Sequence, residues 1–260
     1  MNALSAAVRV LARGWWLQLK IVAVNAFDGV LNIVYPLFFA TTALLMYRQS
    51  GSPQALVYAA LGAAVMGTWS AMATSASGAL QSQRWQGTLE LLVASPTRMA
   101  LAILPITAAL ATVALYSLVA TLVWGRVVFG IDVPIASPLA FAAALLVTLA
   151  SLATFGFLLS VTVVRYRTGW ALGNLLEYPG WLLCGFLVPM DQFPTGVQWI
   201  ARALPPTWGM DAIRAAASGA SPWRDIAVCA ALGIGYAALA THLSERLLDS
   251  ARRHGTLALT

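Results

Sequence analysis

Between Met99 and Gly125 the chain reads MALAILPITAALATVALYSLVATLVWG, a stretch without a single Asp, Glu, Lys or Arg. A helix needs about 20 predominantly apolar residues to cross the hydrocarbon layer of a bilayer, and this stretch exceeds that length. The strands of a membrane β-barrel would instead be short and would alternate between apolar and polar residues. The stretch therefore predicts a membrane-spanning helix.

The composition of the 260-residue chain indicates the same class of protein. Hydrophobic residues make up 60% of the sequence and charged residues only 9%, whereas a soluble domain carries roughly 25% charged residues. Further charge-poor runs of spanning length recur along the chain. We predict a single all-α membrane domain over residues 1–260, with six transmembrane helices at 29–47, 56–81, 99–124, 138–164, 170–190 and 226–244.

The distribution of basic residues orients these six helices. Ten of the fifteen Lys and Arg residues fall on the side that also holds the two termini, and an excess of Lys and Arg marks the cytoplasmic side. Both termini are therefore expected in the cytoplasm. This bias accounts for most of the net charge of +6, and no basic tract is dense enough to indicate a nucleic-acid partner.

Residues 1–27 have the pattern of an amphipathic interfacial helix. Arg9, Arg13 and Lys20 gather on one face, and apolar residues three and four apart form the other. The apolar face comprises Leu4, Val8, Leu11, Trp15, Leu19 and Val22. Such a helix lies flat at the membrane surface, where it either anchors the protein or transmits movement.

The sequence offers no arrangement of residues suited to catalysis or metal binding. Its two histidines, His242 and His254, lie near the cytoplasmic end, and no paired carboxylates or Ser/His/Asp set is visible. The single lysine, Lys20, follows a leucine instead of the glycine of a GxxxxGK phosphate-binding loop. Any energy from ATP must therefore come from a partner.

The predicted second and third helices are joined by QRWQGTLELLVASPTR, residues 83–98. Leu89, Leu92 and Val93 have helical spacing, and Pro96 ends the pattern. Glu90 falls in the first turn, where a carboxylate suits the helix dipole. These features predict a short cytoplasmic helix with one apolar side, which is typical of a docking element.

This stretch resembles the family of type 2 permeases of ATP-binding-cassette exporters, which carry a similar GTLE-LL-SP motif between their second and third membrane helices. A second stretch, GFLVPMDQFPTGVQWIARALPPTWGMDAIR from Gly185 to Arg214, is similar to the family's region after the fifth helix. With the six predicted spans, the likeness covers nearly the whole chain.

The resemblance implies a dimer of six-helix subunits in a prokaryotic-type inner (plasma) membrane, as a homodimer or heterodimer. Each subunit would sit on a separate ATP-hydrolysing subunit that holds ATP and Mg²⁺, with lipid around the spans and no cofactor in this chain. The loop 83–98 would be the coupling helix, acting through Arg84, Gly87, Thr88, Glu90 and Pro96. As an alternative, Arg84 and Arg98 serve membrane topology alone.

The predicted fifth helix carries two features of interest. Gly169 and Gly173 form a GxxxG pattern that permits close helix approach, either within the subunit or across the dimer. Glu177 is the acidic residue of this span, and a carboxyl group at membrane depth needs protonation, a partner or water. It serves either cargo or proton contact, or a structural hydrogen bond.

The chain then stays outside for about 35 residues before the last span, where Val197, Trp199, Ile200 and Leu204 predict a short re-entrant or interfacial helix.

By resemblance, the second and fifth helices line the transport path. Candidate path residues are Met66, Trp69, Met72, Asn174, Glu177 and Trp181. Polarizable Met and aromatic side chains adapt to varied apolar ligands, which favours export of an amphipathic drug, antibiotic or lipid-like cargo and a link to multidrug resistance. The alternatives are a polysaccharide or lipid-linked glycan exporter, and an ion-coupled transporter or channel that uses Glu177.

Overall fold

The computed structural model describes residues 3–24, 26–49, 51–76, 83, 87, 99–163 and 169–254. Regular structure in these residues is helical throughout, without a strand, and the all-α prediction is confirmed for them. The α-helices are α1 (Ala3–Val24), α2 (Ala26–Arg48), α3 (Pro53–Ala71), α4 (Met99–Phe129), α5 (Pro138–Val163), α6 (Gly169–Leu183), α7 (Thr195–Ala203), α8 (Pro205–Ser218) and α9 (Trp223–His254). A π-helical turn, Met72–Ala76, continues α3, and a 3₁₀ turn, Met190–Gln192, precedes α7.

Four helical stretches of the described chain are long and apolar enough to cross a membrane. They are Pro53–Ala76, Ala100–Phe129, Pro138–Val163 and Trp223–Leu247. The chain is thus a multi-pass membrane protein. The other two predicted spans, 29–47 and 170–190, overlap α2 and α6, and the six-span topology stays a prediction.

Helix α6 ends earlier than the sequence predicted. The span expected over 170–190 is helical only to Leu183 and has 15 residues, a length of about 22 Å at ~1.5 Å per residue. The hydrocarbon layer is ~30 Å thick. The helix ends because Gly185 adopts a left-handed conformation, with φ of +71°, and such a residue terminates an α-helix.

Two other helices are longer than predicted. Helix α4 runs to Phe129 instead of residue 124, because Arg126 fits its last turn, where a cation complements the helix dipole. Helix α9 begins at Trp223 and runs to His254, ten residues past the predicted end at 244. The charged residues beyond the apolar run therefore belong to the same helix.

Residues 184–222 contain more regular structure than the single short helix predicted. Helix α7 matches the position of that prediction, and α8 follows it directly. Helix α8 has prolines in its first turn and ends at Ser218, before Gly219, whose φ is +85°. Proline at the start and glycine at the end mark helix boundaries, so the sequence did carry a signal for α8.

Helix α3 lies at the centre of the bundle. Its residues Ala59–Trp69 are all buried, and it packs against α2, α4, α6 and α8. Small residues dominate this segment, AALGAAVMG, and small residues allow membrane helices to approach closely. Helices α5 and α9 pack beside this centre, and α1 lies along α4.

One end of the bundle holds residues 130–137 and 184–222. A hydrogen bond from Ala136 N to Ala217 O, 3.2 Å long, joins the two segments there, and α3 begins at the same end. Following the predicted topology, we call it the outer end. The π-helical turn that ends at Ala76 and the start of α4 at Met99 belong to the opposite end.

Candidate functional site

The predicted coupling segment 83–98 is described at Gln83 and Gly87 only. Gly87 is exposed with a φ of +69°, a conformation that suits glycine. Arg84, Thr88, Glu90 and Pro96 lie outside the described residues, so the predicted coupling helix itself stays a prediction. The structure does describe both flanks of the segment.

The first flank is the π-helical turn Met72–Ala76. Ser160 Oγ of α5 donates a hydrogen bond to Ala76 O, the last carbonyl of this turn, at 2.8 Å. Gly156, one turn earlier on α5, packs on the same turn, because a β-carbon built on it would be 2.8 Å from Ala76 Cβ. The turn is therefore fixed to α5.

The second flank is the start of α4. Ile103 is fully buried in a cluster with Phe157 and Val161 of α5 and Ala240 of α9, and Ala100 and Leu104 pack against it. Both flanks of the 83–98 segment therefore contact α5. A displacement of the 83–98 segment would therefore act on α5 through both contacts.

The predicted path residues of α3 lie in the protein core. Met66, Trp69 and Met72 are at most 2% exposed. The Trp69 ring stacks on Phe155 of α5, with centroids 5.3 Å apart, and meets Phe186 edge-on at 6.4 Å. Within this single chain, the three residues pack against protein.

Trp69, Glu177 and Trp181 are brought together where α3 meets α6. Trp69 Nε1 donates to the backbone oxygen of Glu177 at 3.2 Å, and Trp181 Nε1 donates to Ser70 Oγ at 3.0 Å. Glu177 is 7% exposed and Trp181 is 8% exposed, while Asn174 is half-buried. The bond to Trp69 uses the Glu177 backbone, so the carboxyl group is not needed for it.

Helix α6 approaches α3 closely through glycine. Gly180 faces the Trp69 ring, and a β-carbon at Gly180 would overlap the indole atoms. Gly173 is also buried within the chain, two turns earlier, and Gly169 begins the helix. Of the predicted GxxxG pair, Gly173 therefore packs inside this subunit.

A row of four aromatic rings crosses from α2 to α6. The ring centroids of Phe38 and Phe39 are 5.9 Å apart, those of Phe39 and Trp181 are 4.9 Å apart, and those of Trp181 and Tyr178 are 5.0 Å apart, all edge-to-face. Phe38 and Tyr178 at the two ends of the row are exposed. The row gives this face of the chain an apolar surface.

The outer end carries a polar cluster that sequence reasoning missed. Arg214 of α8 donates from Nη1 to Gly185 O at 2.8 Å and from Nη2 to Phe186 O at 3.0 Å. Its guanidinium carbon lies 3.4 Å from the centre of the Tyr58 ring on α3. Arg214 thus holds the chain reversal after α6 against α3, and we call this arrangement the outer clasp.

Two tyrosines complete the outer clasp. Tyr58 OH donates to Gly185 O at 3.0 Å, and Tyr47 OH of α2 donates to Leu187 O. Three successive carbonyls after α6 are therefore bound by side chains from α2, α3 and α8. These carbonyls lie beyond the last residue of α6, and buried backbone carbonyls outside regular structure need such side-chain partners.

The outer clasp keeps its charge at neutral pH. Burial lowers the pKa of the Arg214 guanidinium to about 10, because a charged group loses solvation when it is removed from water. The sequence did point to Arg214, because it is the last residue of the family-like stretch Gly185–Arg214. Sequence analysis counted Arg214 only among the basic residues of the outer side, and did not predict its contacts with Tyr58 and the carbonyls after α6.

Comparison with protein-family models found a match over most of the chain. A family model described as ABC-2 type transporter matches residues 8–217, which begin within α1 and end within α8. The match includes the 83–98 segment, the α3–α6 contact and the outer clasp. A search of curated proteins found no matching relative.

Proposed function

The chain belongs to the ABC-2 type transporter family, and from this premise we propose that it is the permease subunit of an ATP-binding-cassette exporter. Members of this family are the membrane components of ATP-binding-cassette transporters, not catalytic domains. The proposal adds outward transport, driven by a separate ATPase. The family match over residues 8–217 is the observation that supports this proposal.

The ATPase would dock at the 83–98 segment, through Arg84, Gly87, Thr88, Glu90 and Pro96. Support comes from the two flanks. The Ser160–Ala76 hydrogen bond and the buried Ile103 cluster tie both ends of the segment to α5, and α5 packs along α9. A push on the segment would therefore tilt several packed helices together, as rigid-element coupling requires.

The working complex would contain two permease copies and two ATPase subunits, with ATP and Mg²⁺ on the ATPases. The permease pair is either a homodimer or a heterodimer, in the inner membrane with both termini cytoplasmic. The exposed surface of α6, with Leu175, Tyr178 and Leu182, offers an apolar face for the second copy or for cargo.

The cargo would be an amphipathic drug, an antibiotic or a lipid-like molecule. Asn174, Glu177 and Trp181 lie beside the exposed surface of α6, whereas Met66, Trp69 and Met72 lie behind it. Cargo would reach the α3 residues only if α3 and α6 separate. We therefore propose that the α3–α6 contact opens during the transport cycle.

A polysaccharide or lipid-linked glycan is the second candidate cargo, and the aromatic row favours it. Sugar rings stack on aromatic side chains, and Phe38 and Tyr178 present exposed rings at the two ends of the row. The edge-to-face packing of Phe39 and Trp181 within the row leaves fewer free ring faces. An amphipathic cargo therefore remains our first proposal.

The decisive experiment compares Glu90→Ala with wild type in the permease–ATPase complex, reconstituted in lipid. Glu245→Ala serves as the control, since it removes a carboxylate that is exposed on α9. We expect Glu90→Ala to lose cargo-stimulated ATP hydrolysis or to release the ATPase on size exclusion, and Glu245→Ala to behave as wild type.

Normal assembly, hydrolysis and transport by Glu90→Ala would contradict docking at this loop. Transport that continues without ATP and follows a pH gradient would contradict the exporter proposal, and would favour the ion-coupled alternative through Glu177. Stimulation by a lipid-linked glycan but not by amphipathic drugs would select the second cargo class.

A further inference from the structure

The outer end contains a cavity of about 520 Å³, which we call the outer cavity. It lies between the first turns of α3, the segment 130–137 and the last turns of α8. Its lining includes Tyr58, Arg214, Asp132, Val57, Leu61 and Pro134. Small-molecule sites typically enclose roughly 300 to 1,000 Å³, so the outer cavity has the size of a ligand site.

Arg214 gives this cavity a fixed positive charge. Its two terminal nitrogens are bound to backbone carbonyls and its plane rests on Tyr58. Arg214 Nε is buried without a hydrogen-bond partner in the structure. Carbonyls and an aromatic ring orient a guanidinium, but they do not cancel its charge.

No carboxylate of the described chain compensates Arg214 at ion-pair distance. The ion pair formed among the described residues joins Arg126 Nε to Asp132 Oδ1 at 3.4 Å. Asp132 lines the cavity but already faces its own arginine, and its side chain is 82% exposed. Asp211, one turn before Arg214 on α8, acts on it only at longer range.

The remaining lining is mainly apolar. Val57 and Leu61 of α3 stand beside Tyr58, and Pro134 and Ala217 face them from residues 130–137 and α8. An apolar ligand portion would gain about 25 cal/mol for each Å² that these side chains remove from water. The outer cavity thus places a fixed cation next to an apolar wall.

We propose that the outer cavity binds an amphipathic molecule with one anionic group, its phosphate or carboxylate next to Arg214 and its apolar part along Val57 and Leu61. This site is separate from the α3–α6 contact and does not depend on the transport direction. The same chemistry occurs in an anionic lipid headgroup and in a soluble amphiphile, and the experiment separates these sources.

The experiment measures binding of hexyl phosphate to the full chain in phosphatidylcholine nanodiscs. Two control probes are used: hexanol lacks the anionic group, and inorganic phosphate lacks the apolar part. We expect hexyl phosphate to bind more tightly than either, and its affinity to fall with added salt, because charge attraction is screened.

Two variants test the location of the site. Ala215→Phe fills the cavity from α8 without removing a clasp hydrogen bond, and Arg214→Gln removes the cation. We expect each to weaken hexyl phosphate binding by roughly tenfold or more. Arg202→Gln, at an exposed arginine of α7, should leave the affinity unchanged.

Equal affinity in wild type and Ala215→Phe would overturn the proposal, even if Arg214→Gln fails to fold. Hexanol or inorganic phosphate binding as tightly as hexyl phosphate would also overturn it. In nanodiscs that contain phosphatidylglycerol, weaker hexyl phosphate binding would identify the lipid headgroup as the natural occupant. Unchanged binding there would exclude the phosphatidylglycerol headgroup as the occupant and favour a soluble amphiphile.

Discussion

The indole ring of Trp69 on α3 packs directly against the backbone of Gly180 on α6, because glycine has no side chain to keep the ring away. The same indole donates its N–H to the backbone of Glu177, one turn earlier on α6. A membrane interior offers no water to the indole nitrogen or to the carbonyl. This contact therefore holds α6 in place through both shape and hydrogen bonding.

Gly180→Ala should weaken the contact of α6 with α3. The added methyl group would overlap the Trp69 ring, and such overpacking typically costs about 1 to 3 kcal/mol. The measurement is the midpoint of unfolding in mixed detergent micelles. Gly235→Ala on α9 is the control, because a β-carbon there meets no atom within 4 Å. Equal midpoints for the two variants would show that the α3–α6 contact accommodates the added methyl group without a loss of stability.

Hydropathy located the apolar helices well, because a membrane span needs a long run without charge and the sequence displays such runs directly. It failed at α6, where WALGNLLEYPGWLLCGFLVPM remains apolar beyond the end of the helix. The chain turns at Gly185 because the outer clasp binds the carbonyls that follow. Those partners come from α2, α3 and α8, and local sequence cannot reveal them.

Arg214→Gln should destabilise the outer end. The change removes two charge-assisted hydrogen bonds and the stacking on Tyr58, which together predict a loss of about 2 to 4 kcal/mol. Arg202→Gln removes an exposed guanidinium, and surface changes usually stay within ~0.5 kcal/mol. Thermal unfolding in detergent compares the two variants. A loss no greater than that of Arg202→Gln would mean that Tyr58 and Tyr47 hold the chain reversal without Arg214.

Ser160→Ala should loosen the π-helical turn that leads to the 83–98 segment. Without Ser160 Oγ, the Ala76 carbonyl loses its hydrogen bond from α5, and one such bond contributes about 0.5 to 1.5 kcal/mol. Ser218→Ala is the control, since that exposed hydroxyl bonds to its own helix at Ala215 O. Hydrogen exchange of the Met72–Ala76 amides is the readout. Exchange that is unchanged in Ser160→Ala would exclude this bond as the tie between the turn and α5.

In the candidate site, too, some residues could be predicted from the sequence, whereas contacts between distant segments could not. Trp69, Glu177 and Trp181 were predicted as path residues from family resemblance, and the structure brings them together, but in the core of the single chain. Arg214 and Tyr58 are 156 positions apart, and their contact depends on how α8 folds back over α3. Pattern analysis of either stretch alone does not pair them.

The last prediction concerns α1, for which the sequence left an anchor and a transmitting element as alternatives. Trp15 Nε1 donates to Thr112 Oγ1 of α4 at 3.0 Å, and Trp15 lines an apolar groove with Leu104 and Pro105. These α4 residues closely follow the 83–98 segment, so a movement of α4 carries α1 with it. Trp15→Ala should therefore reduce cargo-stimulated ATP hydrolysis of the complex several-fold and leave basal hydrolysis intact.

Trp16→Ala is the matched control, because the neighbouring indole is 56% exposed and does not line the groove. It removes the same side chain, and more of the Trp16 indole is exposed, so a loss of membrane anchoring would affect Trp16→Ala at least as strongly. A deficit confined to Trp15→Ala would assign transmission to α1 through its packing on α4. Equal deficits in the two variants would contradict it, since the shared effect would then be the loss of a membrane anchor.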